Sequence, residues 1–138
     1  MYTEKDIIEE YINFSLDFCS KCIAKYEEFF PFSFYIKNGE TTVIEPENLS
    51  ELPNFNTLIN NLKINGLNLI KDNQCRSFCI GYRTRVKIEG KYYDALAIFV
   101  KLTEYESTSH GRIYYYPYTT AENFDYLFDL AYYIDANN

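Results

Sequence analysis

His110 is the chain's one histidine, and it sits in Ser107-Thr108-Ser109-His110-Gly111. A base with serines on hand is the raw material of nucleophilic catalysis. Neighbours in one tight loop do not reach attack geometry, however, and no strained nucleophile elbow is spelled here. These residues read as a solvent-exposed turn. Cys19-x-x-Cys22 and Cys75-x-x-x-Cys79 have spacings that a tetrahedral zinc site uses. Cys19 and Cys22 instead fall on the apolar stripe of a helix, where a thiol acts as a small hydrophobe. The first of these pairs sits on neither a knuckle turn nor a helix N-terminus after a strand. The carboxylate pairs Glu9-Glu10, Glu27-Glu28 and Glu45/Glu47 have the types for metal or acid–base work. The first two lie on the solvated face of a helix with no third ligand in register. Five glycines, none clustered, make no phosphate cradle. No catalytic, cofactor-binding or metal-ligating residue is assigned, and an enzyme is the least favoured class.

The elements that would position any site are better marked. Thr3 with Asp6 forms a weak capping box. Apolar positions from Ile7 to Phe30 then keep a 3.6-residue period, which predicts a helix to about Phe29, ended by Pro31. Asn38-Gly39 predicts a type I′ hairpin between two β-rich runs, and Pro46 closes the second. Residues 46–53 form a connector. A second helix is expected from about Asn54, with Phe55, Leu58, Ile59, Leu62, Leu69 and Ile70 on one face and a bend or restart at Gly66. From Phe78 to Tyr118 the chain reads as a three-strand meander broken at Glu89-Gly90 and at Ser107–Gly111. Its middle strand carries the unbroken apolar run Ala95–Val100, which implies burial on both faces. Its first strand alternates Arg83, Arg85 and Lys87 with Tyr82, Thr84, Val86 and Ile88. A two-residue turn at Glu89-Gly90 would set Arg85 opposite Asp94 as a cross-strand salt bridge, and a three-residue turn would shift that pairing. Thr120 predicts a final short helix with Phe124, Leu127, Phe128 and Ala131 as its stripe, and Asp135–Asn138 should fray. The expectation is one α+β domain over 1–138, in the order α-β-β-α-β-β-β-α, with a five-stranded antiparallel sheet flanked by helices.

The chain has 138 residues, 47% of them hydrophobic, with 15 Tyr, 11 Phe and no Trp. That is ample for a core and argues against disorder. The formal charge of −7 is unevenly spread. Residues 1–60 hold 11 acidic and 4 basic side chains, residues 61–101 hold 3 and 8, and residues 102–138 hold 6 and 1. The acidic total disfavours nucleic acid and anionic membrane as partners. The basic middle third reads first as internal neutralisation by acidic helices, and second as a site for an anion or acidic partner. The acidic N-terminus lacks a signal-peptide pattern, and no apolar run approaches the ~20 residues of a membrane span. A cytoplasmic protein with reduced cysteines is expected.

The element order is similar to that of roadblock, longin and profilin-like folds, a likeness that does not fix a function. A more local resemblance rests on Pro31-Phe32, Gly39-Glu40, Tyr82 with Arg85-Val86, Asp94-Ala95-Leu96 and Pro117-Tyr118. These resemble an uncharacterised family of small bacterial α+β proteins, with a Pro-Phe strand, an Asp-Ala-Ile-like strand and a Pro-Tyr end. At position 83 this chain has Arg where that family has Asp. The resemblance implies a fold and a small soluble protein, with no known activity.

The functional expectation is a cytoplasmic protein-interaction module with no cofactor. Its acidic, Tyr-rich surface would cover a basic partner in the manner of an immunity protein or antitoxin. The alternative is a roadblock-like homodimerising scaffold. The candidate partner surface comprises Tyr92, Tyr93, Tyr114, Tyr115, Tyr116 and Tyr118, with Arg83 and Arg85 as candidate anion contacts. Pro117, lacking an N–H, should mark a sheet margin.

Overall fold

The computed structural model describes residues 3–46 and 54–136. Helix α1 spans Glu4–Tyr26, and the capping box forms: Asp6 N–H donates to Thr3 Oγ1 (3.2 Å) and Thr3 N–H to Asp6 Oδ2 (2.8 Å). The helix stops short of Phe29 because Glu27 turns left-handed (φ 65°) and its N–H closes on Ile23 O. That turn drops Phe29 into the core at 3% exposure and leaves Phe30 outside at 60%. Strands β1 (Phe32–Lys37) and β2 (Glu40–Val43) form the expected hairpin, with Asn38 and Gly39 both at positive φ. Helix α2 spans Phe55–Lys71, capped by Asn54, whose Oδ1 accepts from Thr57 N–H at 2.7 Å. Pro46 lies just past β2, but the rest of the expected connector, with Glu47 of the carboxylate pair, lies outside the described residues, as do Asn137 and Asn138.

Gly66 does not interrupt α2. It is buried mid-helix with the Phe78 ring where a side chain would be: a Cβ there would come within 2.5 Å of that ring. Its conservation of space, not its flexibility, is its role. Strands β3 (Ser77–Ile88) and β4 (Lys91–Leu102) pair over their full length, from Ser77 opposite Leu102 to Ile88 opposite Lys91. Glu89 (φ 50°) and Gly90 (φ 82°) make the two-residue turn. Strand β5 (Arg112–Thr119) completes the meander.

The final helix does not form. Its place is taken by β6 (Asp125–Tyr126), a 3-10 turn (Phe128–Leu130) and β7 (Tyr132–Asp135), all laid along β5. The i, i+3, i+4, i+7 stripe of Phe124, Leu127, Phe128 and Ala131 imitates a helix. Two facts override it: the run is rich in aromatic residues suited to a pleated surface, and the open edge of β5 has backbone groups that need partners. Thr119, not Thr120, accepts from Ala121 N–H. Asp135 does not fray; it pairs with Arg112 in the ladder.

Pro117 explains why this edge comes in two pieces. Leu127 N–H donates to Pro117 O at 2.8 Å, but Pro117 has no N–H to return to Leu127 O. That carbonyl instead accepts from Leu130 N–H at 2.9 Å, which winds the 3-10 turn before β7 resumes.

The sheet order is β2-β1-β3-β4-β5-β6, with β7 also on β5, so there are six to seven strands rather than five. The helix-bearing order behind the roadblock, longin and profilin-like likeness is therefore not the observed one. Helix α1 packs on one face, here the front, over Phe34, Cys79, Leu96, Ile98 and Val100. Helix α2 packs on the back, where Leu62 meets Phe78, Ile80 and Phe99. All of Ala95–Val100 is buried, as its composition requires. No helix among the described residues is long and apolar enough to cross a membrane.

Two substitutions test this packing. The Phe99 ring fills the notch over Gly111, where a Cβ would lie 2.4 Å from it. Phe99→Ala is expected to lose about 3–5 kcal/mol in chemical denaturation; a loss under about 1 kcal/mol would mean a solvent-open back face. Gly66→Ala gains about 1 kcal/mol of helix propensity but drives a methyl into Phe78, an overpacking cost of about 1–3 kcal/mol. The net expectation is a lowered melting temperature, and a raised one would show that Phe78 swings aside freely.

Candidate functional site

Helix α2 covers only part of the back face; beyond it the sheet is tiled by tyrosine. Ala97 lies between Tyr82 on β3 and Tyr115 on β5, in register on the same face. Tyr115 stacks on Tyr132 of β7, with ring centres 5.0 Å apart and planes 25° apart. A small residue flanked by two large ones lets the rings close over it, and Ala97 is fully buried. Burial pushes the Tyr82 hydroxyl up to about 12, and the neighbouring Tyr115 adds to the shift.

The front side of the same edge is also aromatic. Tyr114 packs on Tyr133 at 5.4 Å, and Tyr116 meets Phe128 edge-on at 6.2 Å. Arg112 holds this layer: its guanidinium lies 4.3 Å over the Tyr133 ring, with Nε donating to Asp135 Oδ1 (3.1 Å) and Nη1 to the Tyr114 hydroxyl (3.2 Å). Tyr126 ties the edge to α1 by donating to Leu16 O at 2.7 Å. Outside these contacts, Phe128 (58%), Tyr133 (53%) and Ile134 (46%) remain exposed. Glu122, Asp125, Asp129 and Asp135 belong to the same stretch of chain and are all exposed, Asp135 being paired with Arg112.

The predicted surface is thus divided. Tyr114, Tyr115 and Tyr116 are half-buried and belong to the β5–β7 edge. Tyr118 is a correction: at 7% exposure it is a core residue against Phe124, and offers no surface. Burial, with Asp94 nearby, pushes its hydroxyl up to about 12. Arg83 sits within the part of the sheet that β5 also reaches, opposite Leu96, whereas Tyr92, Tyr93 and Arg85 lie towards the tip of the β3–β4 hairpin, where they line one open pocket with Tyr118, Thr119, Leu127 and Leu130. There Arg85 and Lys87 both sit over the Tyr92 ring, at 5.5 and 5.4 Å, and Lys91 over Tyr93 at 5.3 Å. Arg85 faces Asp94 in register as expected, but the salt bridge does not form; the guanidinium turns to Tyr92. Internal neutralisation of the basic third does not occur here either: no ion pair among the described residues involves Arg83, Arg85, Lys87 or Lys91.

The residues of the edge that the sequence does not single out are Phe128, Tyr132, Tyr133 and Ile134, and on the back of β3 Tyr82. The alternation of large aromatics over residues 124–134 was the available signal, masked by a helical stripe of the same residues. Of the histidine loop only part is exposed as read: Thr108 and Gly111 are buried. His110 is exposed, while Ser107 and Thr108 donate to the Glu4 carboxylate and Ser109 to Glu106 O. Cys19, Cys75 and Cys79 are buried free thiols and Cys22 is half-buried; burial pushes the Cys19 thiol up to about 12. An open cleft of about 700 Å³ separates the start of α1 from the β1–β2 turn. Its cations are already engaged, Lys37 by Gln74 O and Arg76 by Glu104.

No protein-family model, curated protein or solved structure matches the chain.

The tyrosines supply a pH test. Tyr82 and Tyr118 stay protonated in the fold to about 12, against 10.0 when free. Their folded pKa is raised, so their contribution is complete below pH 10 and lost as pH climbs from 10 towards 12. Denaturation midpoints should fall across that window, with part of the tyrosinate absorbance appearing only on unfolding. A titration with all 15 tyrosines ionising near pH 10 while the fold persists would contradict the burial.

Proposed function

We propose that the protein acts by binding another protein through its aromatic β5–β7 edge. The observation that carries this is β7 itself: a strand at the sheet margin whose Tyr132, Tyr133 and Ile134 are all exposed. An edge strand exposes unpaired backbone groups, and one left apolar is a template for association. Tyrosine adds wide contact area at low entropic cost. The exposed carboxylates of Glu122, Asp125, Asp129 and Asp135 support a basic partner, since opposite charge near a contact speeds encounter and rejects acidic competitors. An immunity- or antitoxin-like role, masking a basic protein in the cytoplasm, is the reading in keeping with this charge pattern and with the free thiols.

A second reading has its own support. The backbone of β7 is open on the side away from β5 among the described residues. Two copies could pair there edge to edge about a two-fold axis, extending the sheet across a homodimer.

One experiment separates them. Tyr132→Ser with Tyr133→Ser should lower the melting temperature by several degrees, since the two rings also pack on Tyr115 and Tyr114, while leaving a cooperative unfolding transition. It should abolish a salt-sensitive complex with a basic protein in a pull-down. Light scattering on the parent protein should then report a monomer. A dimer converted to monomer by the same substitutions would select the second reading, and a large drop in melting temperature with association intact would place these rings in the core.

A further inference from the structure

At the opposite margin, β3 is paired on both sides for only part of its length. Strand β1 meets it at Cys79, Ile80 and Gly81 and goes no further. From Tyr82 to Ile88 its outer edge carries no strand and no backbone hydrogen bond among the described residues. On the front face of this open stretch stand Arg83, Arg85 and Lys87, all exposed.

Basic side chains on an edge are also a device against aggregation, since two like edges repel. Edge protection does not require what lies at its inner end. There, a groove of about 310 Å³ opens on the same face, its wall mostly aromatic (Phe18, Tyr26, Phe29, Phe30 and Phe32) with Glu28 as its one charged residue. Tyr26 and Phe30 on its rim are 63% and 60% exposed. Groove and basic edge are contiguous. Phe32 lies across Gly81, and a Cβ on Gly81 would be 2.1 Å from its ring. Arg83 follows two residues along the same face, about 7 Å away.

We infer that the open edge of β3 is a docking site for an extended acidic segment of another protein, which adds as a strand in line with β1. Main-chain bonds to Tyr82–Ile88 would supply affinity, and alternate side chains would supply specificity. In an antiparallel addition, the residues opposite Lys87, Arg85 and Arg83 share the front face and meet cations, so they are Asp or Glu. The segment then reaches the start of β1, where its C-terminal end turns an aromatic or large aliphatic side chain into the groove. The inference does not depend on the β5–β7 edge, which lies at the other margin of the sheet.

The probe is a labelled synthetic peptide, Glu-Thr-Glu-Val-Glu-Thr-Phe, followed by fluorescence anisotropy, with hydrogen exchange read on the same complex. Binding should be seen with slowed exchange at Tyr82–Lys87. Arg83→Glu with Arg85→Glu should weaken it at least tenfold with the melting temperature unchanged. Phe30→Ser should weaken it several-fold, and should make no difference when the peptide's Phe is replaced by Ser. The version with Lys in place of Glu should not bind, and the Tyr132→Ser, Tyr133→Ser protein should bind like the parent. Equal binding of the Lys peptide, indifference to the Arg changes, or unslowed amides would overturn the inference. So would tighter binding of a single-stranded oligonucleotide, which would make the arm a nucleic-acid contact. Self-association abolished by the Arg changes, without peptide binding, would give the edge to a second copy.

Discussion

The register of the β3–β4 hairpin is the constraint on which the rest of the molecule depends. Side chains alternate along a strand, so a slip of one residue would move every one of them to the other face. Glu89 and Gly90 hold a two-residue turn, and the ladder then runs unbroken from Ile88–Lys91 to Ser77–Leu102. This places Leu96, Ile98 and Val100 under α1, and Phe99 with Ile80 under α2. The pairings on either side of the hairpin put Gly81 beneath Phe32 of β1 and Ala97 between Tyr82 and Tyr115. Each small residue thus meets a large one, which is how a sheet covered on both sides reaches close packing.

Two helices do not suffice to cover a sheet of this length. The chain completes the cover with aromatic side chains instead of a third helix. On the back, Tyr82 borders the α2 cluster, and Tyr115 stacked on Tyr132 continues the cover from there. On the front, Phe124, Tyr126 and Phe128 continue the layer past α1. Tyrosine suits this place because its ring excludes water from the sheet while its hydroxyl stays at the surface. A core cover of that kind leaves aromatic surface in view, so the residues that stabilise this margin are the ones the proposed contact would use.

The elements that are legible in the sequence are those set by local chemistry. Thr3 and Asp6, Asn54, Asn38-Gly39 and Glu89-Gly90 each mark a boundary that needs no tertiary context, and all four are found. Ala95–Val100 declares its burial by composition. What is not legible depends on partners distant in sequence. Gly66 looks like a break until Phe78 is placed against it. Phe124, Leu127, Phe128 and Ala131 look like a helix until β5 presents an unfilled edge. Pro117 suggests a margin, but it is buried in β5, which is paired on both sides, and its effect on Leu127 appears only once the two strands lie side by side. For the site, the tyrosines of β5 and the arginines of β3 can be singled out by type. That they belong to opposite margins follows from the sheet order, to which the spacing of residues along the chain gives no direct clue.

The two margins differ in charge as well as in form. The β5–β7 edge carries exposed aromatic side chains and carboxylates, while the open half of β3 is basic with an apolar groove at one end. Charge separated in this way does little for the fold, because none of the three ion pairs among the described residues joins the basic arm to the rest and exposed charges interact weakly across distance. It does decide which surfaces can meet. Two copies brought together by like edges would face repulsion at the β3 arm and at the acidic edge alike, whereas partners of opposite charge meet none. On the reading proposed for these surfaces, the distribution of charge favours hetero-association over pairing of identical edges.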